Sequence, residues 1–322
     1  MAYNILLYMW RLKVKIISFI NYKGGVGKTT LTANVAAELA FRGRRVLIVD
    51  LDPQTNLTLS FIDLNKWLDL DENKQTIKHW YDEFLDADAD ESLKDLIIVP
   101  EKVNNVLKDM NSKGYIHLIS SHLELINLDM ELATRYGGNT DRTIRSSFLR
   151  LFSMLKRGLK EVENDYDLVL IDCPPNFNIV TQNAIIASDM YVVPAKADFL
   201  STLGIDQLVR HIDALTKKYN KYVDEDDQSR WDKINPQLVG VVFTMIRVHN
   251  DNPIQAQKTY ISQVYRNRYT VFSNFIRSNS TLFASSPENV PVALNADVEG
   301  IYLDIRKGVE CVVDELISKT GI

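Results

Sequence analysis

The chain has 322 residues, of which 46% are hydrophobic and 25% charged, and its formal net charge is −5. This composition is ordinary for a globular protein, and the acidic balance excludes binding of nucleic acid through an overall basic surface. Two cysteines, Cys173 and Cys311, are too few for a disulfide framework or a multi-cysteine zinc site, which fits a reducing cytoplasm. No apolar run approaches the ~20 residues that a membrane-spanning helix requires.

Residues 1–13 form an N-terminal extension that is largely apolar up to Trp10. The extension lacks the basic start and the small-residue cleavage site of a signal peptide. We therefore expect it to pack against the sheet or against a partner, and a membrane-touching role is the alternative.

A predicted strand, a glycine-rich turn and a predicted helix follow one another. Residues 14–20 are apolar and β-branched, residues 21–30 read N-Y-K-G-G-V-G-K-T-T, and residues 31–42 have the leucine spacing of a helix. Backbone N–H groups of such a turn point at one anion, and the helix N-terminus adds its positive end. This order predicts a phosphate-binding loop in which Lys28 reaches the β- and γ-phosphates and the Thr29 hydroxyl completes a Mg²⁺ shell.

The loop departs from the strict pattern G-x-x-x-x-G-K-[ST], because Tyr22 stands at its first glycine position. Its K-G-G-x-G-K-T form resembles the deviant Walker A motif of the ParA/Soj/MinD family of ATPases, with ParA-type plasmid and chromosome partition ATPases the most similar. In that family the early lysine, matched by Lys23, crosses to the nucleotide of the partner subunit. The resemblance thus implies ATP and Mg²⁺ as cofactors, an ATP-dependent homodimer, and catalytic roles for Lys23 and Lys28. The implied nucleotide-binding residues of the loop are Lys23, Gly24, Gly25, Val26, Gly27, Lys28, Thr29 and Thr30.

Two further predicted strands end in carboxylates. Residues 45–50 end at Asp50 and continue as L-D-P-Q-T-N, and residues 167–172 end at Asp172 and continue as C-P-P. Carboxylates at the C-terminal ends of parallel strands lie where open α/β sheets bind ligands. The two segments resemble switch I and switch II of the family, which implies that Asp50 and Asp172 serve the metal and that Asp52 orients or activates the hydrolytic water. A turn initiated by Asp52 and the proline after it is the plain alternative.

Residues 61–114 are less legible, with scattered large apolar residues that suggest short helices. Residues 86–90 alternate Asp and Ala but lack the glycine and the terminal glutamate of a calcium loop, so a solvated acidic connection is predicted. The family is variable here, which implies that this segment could carry partner specificity.

The rest of the chain alternates strands and helices without repeats or a convincing linker. This pattern predicts one doubly wound α/β domain over residues 1–322, with a mostly parallel sheet and helices on both faces. Ser121 is expected to cap the helix after the third strand, and the resemblance makes Thr244 and Met245 candidates for the adenine wall. The remaining predicted strands are residues 115–120, 189–194, 237–244 and 269–275, and the remaining predicted helices are residues 141–159, 178–187, 203–219, 253–268 and 297–318.

The sequence supplies no phosphoryl-acceptor pocket and does not end in a tyrosine cluster. Water is therefore the expected acceptor, and the resemblance implies a weak, partner-stimulated, Mg²⁺-dependent ATPase. A ParA-like output would be a cytoplasmic, nucleoid-associated ATP dimer that binds DNA non-specifically and drives partition with a ParB-like adaptor. The candidate DNA-binding residues are Lys258, Arg266, Arg268 and Arg277.

These cations are not carried over residue by residue from the family. Its I-P-R-N-x-R-L segment reads I-R-S-N-S-T-L at residues 276–282, so both arginine positions are lost, and Arg277 could substitute for one. The plain alternative is that the cations are solvated.

Two other outputs and one other cofactor remain open. The same ATPase could position a protein cargo, or it could be a MinD-like membrane switch. The switch normally needs a basic amphipathic C-terminal tail, which residues 314–322 do not provide, so no stable membrane association is expected. An iron–sulfur cluster, as in iron proteins of the superfamily, would need a second cysteine suitably placed beside Cys173.

Overall fold

The computed structural model describes residues 14–87, 92–135, 137–226, 230–279, 289–295 and 301–322. The expectations for the N-terminal extension, for most of the acidic connection, for the end of the 276–282 segment and for the start of the last predicted helix lie outside these ranges.

Seven strands form one sheet in the order β3-β4-β2-β5-β1-β6-β7. The strands of the structure are β1 (Lys15–Phe19), β2 (Arg45–Asp50), β3 (Ile97–Ile98), β4 (Tyr115–Ile119), β5 (Leu168–Asp172), β6 (Met190–Lys196) and β7 (Gln237–Thr244), with a separate pair β8 (Val248–His249) and β9 (Asn252–Pro253). All pairings in the large sheet are parallel except that of β3 with β4. The predicted doubly wound, mostly parallel α/β fold is thus confirmed.

Helices cover both faces of the sheet. They are α1 (Lys28–Phe41), α2 (Asn56–Leu59), α3 (Leu64–Glu72), α4 (Ile77–Ala87), α5 (Glu101–Asp109), α6 (Leu125–Arg135), α7 (Asp141–Phe152), α8 (Met154–Lys160), α9 (Ile179–Ala187), α10 (Phe199–Asp224), α11 (Gln255–Arg266) and α12 (Ile301–Thr320). Alternate strand residues point to opposite faces, so Leu47 and Val49 lie in one apolar core while Val46 and Ile48 lie in the other. Among the described helices, none has the length and apolar character needed to span a bilayer.

One predicted helix is divided into two in the structure. The helix expected over residues 141–159 breaks at Ser153, whose hydroxyl donates to the carbonyl oxygen of Leu149 at 2.6 Å. Its first half is capped by Thr140, which forms a capping box with Thr143.

Two segments of the sheet region also differ from expectation. Residues 269–275 contribute a single parallel bridge, Val271 to Val241, where a strand was predicted. The antiparallel edge strand β3 was not predicted, because an element of two residues has no detectable hydrophobic period.

Gly114 precedes β4 at a close approach to α1. A Cβ atom at this position would lie 2.1 Å from the backbone oxygen of Ala40 and 2.6 Å from that of Arg44. Gly114→Ala is therefore expected to lower the free energy of unfolding by about 3 kcal/mol, measured by denaturant unfolding. Gly137→Ala is the matched control, because a Cβ atom there would meet nothing within 4 Å. Equal unfolding midpoints for the two variants would contradict the close approach.

Candidate functional site

The glycine-rich loop joins β1 to α1 at the carboxyl edge of the sheet. Gly25 and Gly27 have φ values of 66° and 80°, a backbone region that favours glycine. Gly27 is also the N-cap of α1, whose first N–H groups have no partner within the helix. The buried hydroxyl of Thr244, at the end of β7, donates to the carbonyl oxygen of Val26 at 2.6 Å. The glycines thus allow the loop to curve, and a hydrogen bond from the edge strand β7 holds it in place.

The two lysines of the loop have different surroundings. Lys28 is buried, and its Nζ donates to the carbonyl oxygen of Lys23 at 3.4 Å. Burial lowers the pKa of Lys28, while the nearby charges of Asp172 and Asp52 oppose that shift. Lys23 Nζ pairs with both carboxylate oxygens of Asp198 in the same chain, at 2.8 and 2.7 Å. A contact of Lys23 with the nucleotide of a partner subunit would have to replace this ion pair.

Asp198 is the N-cap of α10, and its Oδ1 also accepts the backbone N–H of Ser201 at 2.9 Å. Burial acts to raise the pKa of Asp198, but the hydrogen bonds from Lys23 and Ser201 outweigh it and hold that pKa below its usual value. Sequence reasoning missed this residue as part of the site. The available signal was a local one, an aspartate three residues before a serine at the start of a helix.

Thr29 and Asp172 meet beneath the loop. The Thr29 hydroxyl donates to Asp172 Oδ2 at 2.6 Å, and Asp172 Oδ1 is buried without a hydrogen-bond partner among the described residues. Burial raises the pKa of Asp172 well above its usual value, and the neighbouring carboxylate of Asp50 raises it further. A free carboxylate oxygen beside a hydroxyl is a donor set that Mg²⁺ prefers, so these residues fit the implied cation.

The side chains of the described residues do not complete a metal site by themselves. The described part of the chain contains no group of three or more His, Cys, Asp or Glu residues arranged to hold a metal ion. Oxygen atoms of a bound nucleotide or of water would have to supply the remaining ligands, as is usual for Mg²⁺.

Asp50 lies beside Asp172 in the paired strands β2 and β5. Asp50 Oδ2 accepts the backbone N–H and the hydroxyl of Thr58, both at 2.8 Å, and Oδ1 accepts the N–H of Asp52 at 3.1 Å. Burial raises the pKa of Asp50 to about 7, although the bonds from Thr58 oppose the shift. Both oxygens are therefore engaged in holding switch I, and direct contact with a metal would exchange one of these bonds.

The backbone of Asp52 is fastened to the end of β4. Its carbonyl oxygen accepts the hydroxyl of Ser121 at 2.7 Å, and the N–H of Ser121 donates to Thr58 Oγ1 at 3.1 Å. Asp52 Oδ1 accepts the N–H of Gln54 at 3.0 Å, which shapes the turn. The prediction that Ser121 caps a helix was wrong, because α6 begins only at Leu125 and the serine side chain bonds switch I instead.

A cleft of about 440 Å³ lies over the loop. Its lining includes the loop glycines Gly24, Gly25 and Gly27, together with Lys28, Thr29, Thr30 and Asp52. An adjoining, mostly apolar cavity of about 350 Å³ is lined by the predicted adenine-wall residues, Thr244 and Met245. The same cavity is lined by Asn34, Ile276 and Val309, which sequence reasoning missed because they come from three distant segments.

The four predicted DNA-binding cations differ in their ion pairing. Arg277 pairs with Asp251 at 2.9 Å and with Asp304 at 2.8 Å, so it ties its segment to α12. The other three are exposed on or just after α11 and form no ion pair with any described residue: Lys258, Arg266 and Arg268.

The chain is similar in sequence to known proteins. A family model described as an AAA domain matches residues 14–224. The sporulation initiation inhibitor protein Soj of Bacillus subtilis is 28% identical over 298 residues, covering 92% of this chain and 98% of that protein.

Two solved structures share the fold. A protein of Borrelia burgdorferi described as a plasmid partition protein, solved with AMPPNP bound, superposes with a TM-score of 0.60 at 20% identity, covering 96% of this chain and 100% of that one. Cobyrinic acid a,c-diamide synthase of Mycobacterium smegmatis, solved with ADP and magnesium, has a TM-score of 0.60 at 21% identity, covering 96% and 97%. At these identities the two structures show a common fold only.

The family match runs from residue 14, just before β1, to Asp224 at the end of α10. It therefore includes the glycine-rich loop and both strands that end in carboxylates. The similarity to Soj extends over nearly the full length of both chains. The resemblance inferred from the loop is therefore confirmed. The chain belongs to the AAA domain family and, within it, to the ParA/Soj/MinD family of P-loop ATPases.

Proposed function

We propose that the protein is a Mg²⁺-dependent partition ATPase that dimerises around ATP, binds DNA non-specifically in that state, and acts with a ParB-like adaptor. The observation that carries the proposal is the arrangement at one cleft. Lys28, Thr29 and Asp52 line it, and Asp172 lies behind Thr29 with a free buried oxygen. This set can bind a polyphosphate, hold a hard cation and position a water molecule.

Each of these residues has a separate part in the proposed reaction. Lys28 binds the β- and γ-phosphates, and Thr29 and Asp172 hold the cation. Mg²⁺, when bound, supplies neutralisation of the phosphate charge. Asp52 orients the attacking water and accepts its proton, while Asp50 keeps switch I in register through Thr58.

The pairing of Lys23 supports slow hydrolysis by the isolated chain. As long as Asp198 holds this lysine, its charge is not available to the nucleotide of a second subunit. Dimerisation would exchange the carboxylate for phosphate, which is consistent with a switch that partners stimulate.

DNA binding in this proposal depends on a local basic patch. Lys258, Arg266 and Arg268 supply exposed cations on a chain whose net charge is −5. A dimer would present the patch twice, which raises affinity for a duplex without any sequence readout.

The test is binding of a random DNA duplex to the full chain with a slowly hydrolysed ATP analogue, with ADP, and without nucleotide, at two salt concentrations. Salt-sensitive binding only with the ATP analogue is expected. If no state binds DNA while ATP-dependent dimerisation is intact, the DNA part of the proposal is refuted. Positioning of a protein cargo by another anchor then becomes the better hypothesis.

Alanine substitutions at Lys258, Arg266 and Arg268 together are expected to weaken DNA binding at low salt by roughly tenfold or more and to flatten its salt dependence. The reason is that a variant with fewer cations neutralises fewer phosphates, so its binding releases fewer counterions from the duplex. The matched control removes three exposed lysines on and just after α5: Lys102, Lys108 and Lys113. Equal weakening by both triple variants would place the contact elsewhere.

The position of α12 supports the expectation of no stable membrane association. Val309, Val312, Val313 and Leu316 are buried in the core, so the apolar side of this C-terminal helix is already covered by the fold. A MinD-like switch would need such a face to be available for lipid.

A further inference from the structure

Tyr22 stands where the strict phosphate-loop pattern has its first glycine, and its side chain is held by α10. The Tyr22 hydroxyl shares a hydrogen bond with Nδ1 of His211, a residue of α10. Nε2 of the same imidazole accepts from the side-chain amide nitrogen of Gln207, one helical turn earlier, at 2.7 Å. Both ring nitrogens of His211 are thus engaged, which fixes the orientation of the imidazole and the place of the Tyr22 ring.

A third ring, from the segment that follows switch II, packs against this pair. Phe177, two residues after the C-P-P run, lies edge-on to Tyr22, with ring centroids 6.0 Å apart and an interplanar angle of 87°. Its centroid is 5.7 Å from that of His211. All three rings are half-buried, so they limit the access of water to the bond between Tyr22 and His211 and strengthen it. We name Tyr22, Phe177 and His211 the three-ring cluster.

The cluster and Asp198 hold adjacent loop residues in different ways. Burial raises the pKa of Tyr22 to about 12, so its hydroxyl keeps its proton at neutral pH. The cluster therefore places no negative charge beside Lys23. Asp198, at the start of the same helix, pairs with Lys23 through a carboxylate at 2.7 Å. α10 thus binds one loop residue through a neutral hydroxyl and the next through an ion pair.

The backbone at Lys23 has a second anchor. Asn21 donates its side-chain amide to the carbonyl oxygen of Pro194 in β6 at 2.8 Å, and it accepts the backbone N–H of Lys23 at 3.0 Å. When Lys23 leaves Asp198 for the nucleotide of a second subunit, neither this anchor nor the bond of Tyr22 has to break. The lysine side chain can therefore change partners while its backbone stays in place.

We propose that Tyr22 and His211 are positioning residues for Lys23, and that the three-ring cluster holds the loop backbone while the lysine exchanges Asp198 for a second subunit's nucleotide. The inference rests on the proposed function, in which Lys23 acts in trans, and adds to it the residues that direct this lysine. A lysine side chain has many rotamers, so a fixed backbone reduces the entropy that is lost when Nζ is placed at the phosphates.

Loss of the bond is expected to lower turnover and not nucleotide affinity. Tyr22→Phe removes only the hydroxyl oxygen, and His211→Ala removes the other partner. Each is expected to lower kcat for ATP hydrolysis by about tenfold and to change KM by less than about twofold, because Lys28 and Thr29 are left in place. His211→Asn places an amide near the position of Nδ1, where it can bond the Tyr22 hydroxyl, and is expected to recover most of kcat.

Tyr269→Phe is the matched control. The Tyr269 hydroxyl also bonds α10, by donating to Asp206 Oδ1 at 2.6 Å, in a contact that does not involve the loop. The control variant is expected to keep the kcat and KM of the wild type. A loss of kcat in Tyr269→Phe equal to that in Tyr22→Phe would show that any loosening of α10 has this effect, and would overturn the positioning role.

A double-mutant cycle shows whether the cluster acts through Lys23. Sedimentation with a slowly hydrolysed ATP analogue gives the dissociation constant of the dimer. Tyr22→Phe is expected to raise this constant by about tenfold in the wild-type chain and to leave it unchanged in a chain that carries Lys23→Ala, because the lysine to be positioned is absent. A purely structural role would raise it by the same factor in both chains. A lower constant in Tyr22→Phe would show that the bond restrains Lys23, and would overturn the inference.

The contact itself can be tested without any turnover. The chain has five histidines, so the ring signals of His211 in an NMR spectrum can be assigned by their loss in His211→Ala. Tyr22→Phe is expected to shift these signals, and Tyr269→Phe is expected to leave them in place. Unshifted signals in Tyr22→Phe would overturn the contact.

The outcomes separate this inference from the proposed function. Loss of turnover in Lys23→Ala with an unchanged kcat in Tyr22→Phe would overturn the positioning role alone. Normal turnover and dimerisation in Lys23→Ala would refute the trans contact of the proposed function together with the inference that rests on it.

Discussion

Replacing Asp52 by alanine is expected to lower the rate of ATP hydrolysis by roughly 100-fold or more while ATP and Mg²⁺ still bind. The carboxylate lines the same cleft as Lys28 and Thr29, and its removal takes away the group that orients the attacking water. The phosphate-binding and cation-binding groups are left unchanged. The variant should therefore accumulate as an ATP-bound dimer, which nucleotide binding, single-turnover kinetics and sedimentation can each detect.

Asp52→Asn is the control for this prediction. Asparagine keeps an oxygen for the N–H of Gln54, so the turn is retained while the charge and the basic group are lost. Equal loss of turnover in the two variants supports the role of the carboxylate in handling the water. Turnover near the wild-type rate in Asp52→Ala would refute that role, and near-normal turnover in Asp52→Asn alone would show that Asp52 acts by shaping the turn.

Lys23→Ala and Asp198→Asn are expected to move ATP-dependent dimerisation in opposite directions. Lys23→Ala removes the cation proposed to reach the partner's nucleotide, so the ATP dimer is weakened and turnover falls by roughly 100-fold. Asp198→Asn keeps an oxygen to cap Ser201 but removes the charge that holds Lys23. With Lys23 released, the ATP dimer should form at a lower protein concentration than in the wild type.

Sedimentation of the variants with a slowly hydrolysed ATP analogue, with ADP and without nucleotide measures both effects. Asp314→Asn serves as the control, because it also neutralises a carboxylate paired with a basic residue, Arg42, away from the cleft. Normal dimerisation and turnover in Lys23→Ala would refute the proposed trans contact. If Asp198→Asn weakens the dimer as Lys23→Ala does, the ion pair supports the dimer and does not restrain it.

The elements that could be predicted are those in which local sequence and burial agree. β1, β2 and β5 are apolar runs because a parallel sheet with helices on both faces buries both sides of its strands. Elements defined by few residues or by side-chain bonds were predicted poorly, such as the two-residue β3 and the break before α8. Where such elements begin and end depends on contacts with distant residues, which the local hydrophobic pattern does not show.

The same division applies to the candidate site. The bond between Thr29 and Asp172 joins a loop and a strand end that parallel strand order alone brings to one edge of the sheet. The ion pair of Lys23 with Asp198 could not be predicted, because Asp198 is 175 residues away and its local pattern indicates only a helix cap. The ion pairs of Arg277 with Asp251 and Asp304 could not be predicted either, because they join residues of different segments.

The sequence by itself determined the family, the α/β frame and the residues around the phosphate loop, because each depends on residue types at short, regular spacings. Only the tertiary structure decided which bonds those residues make: the hold of Asp198 on Lys23, the fastening of Asp52 by Ser121, and the cavity built from β7, α1 and α12. Such contacts form when distant segments pack and satisfy their buried polar groups, so short-range patterns do not specify them.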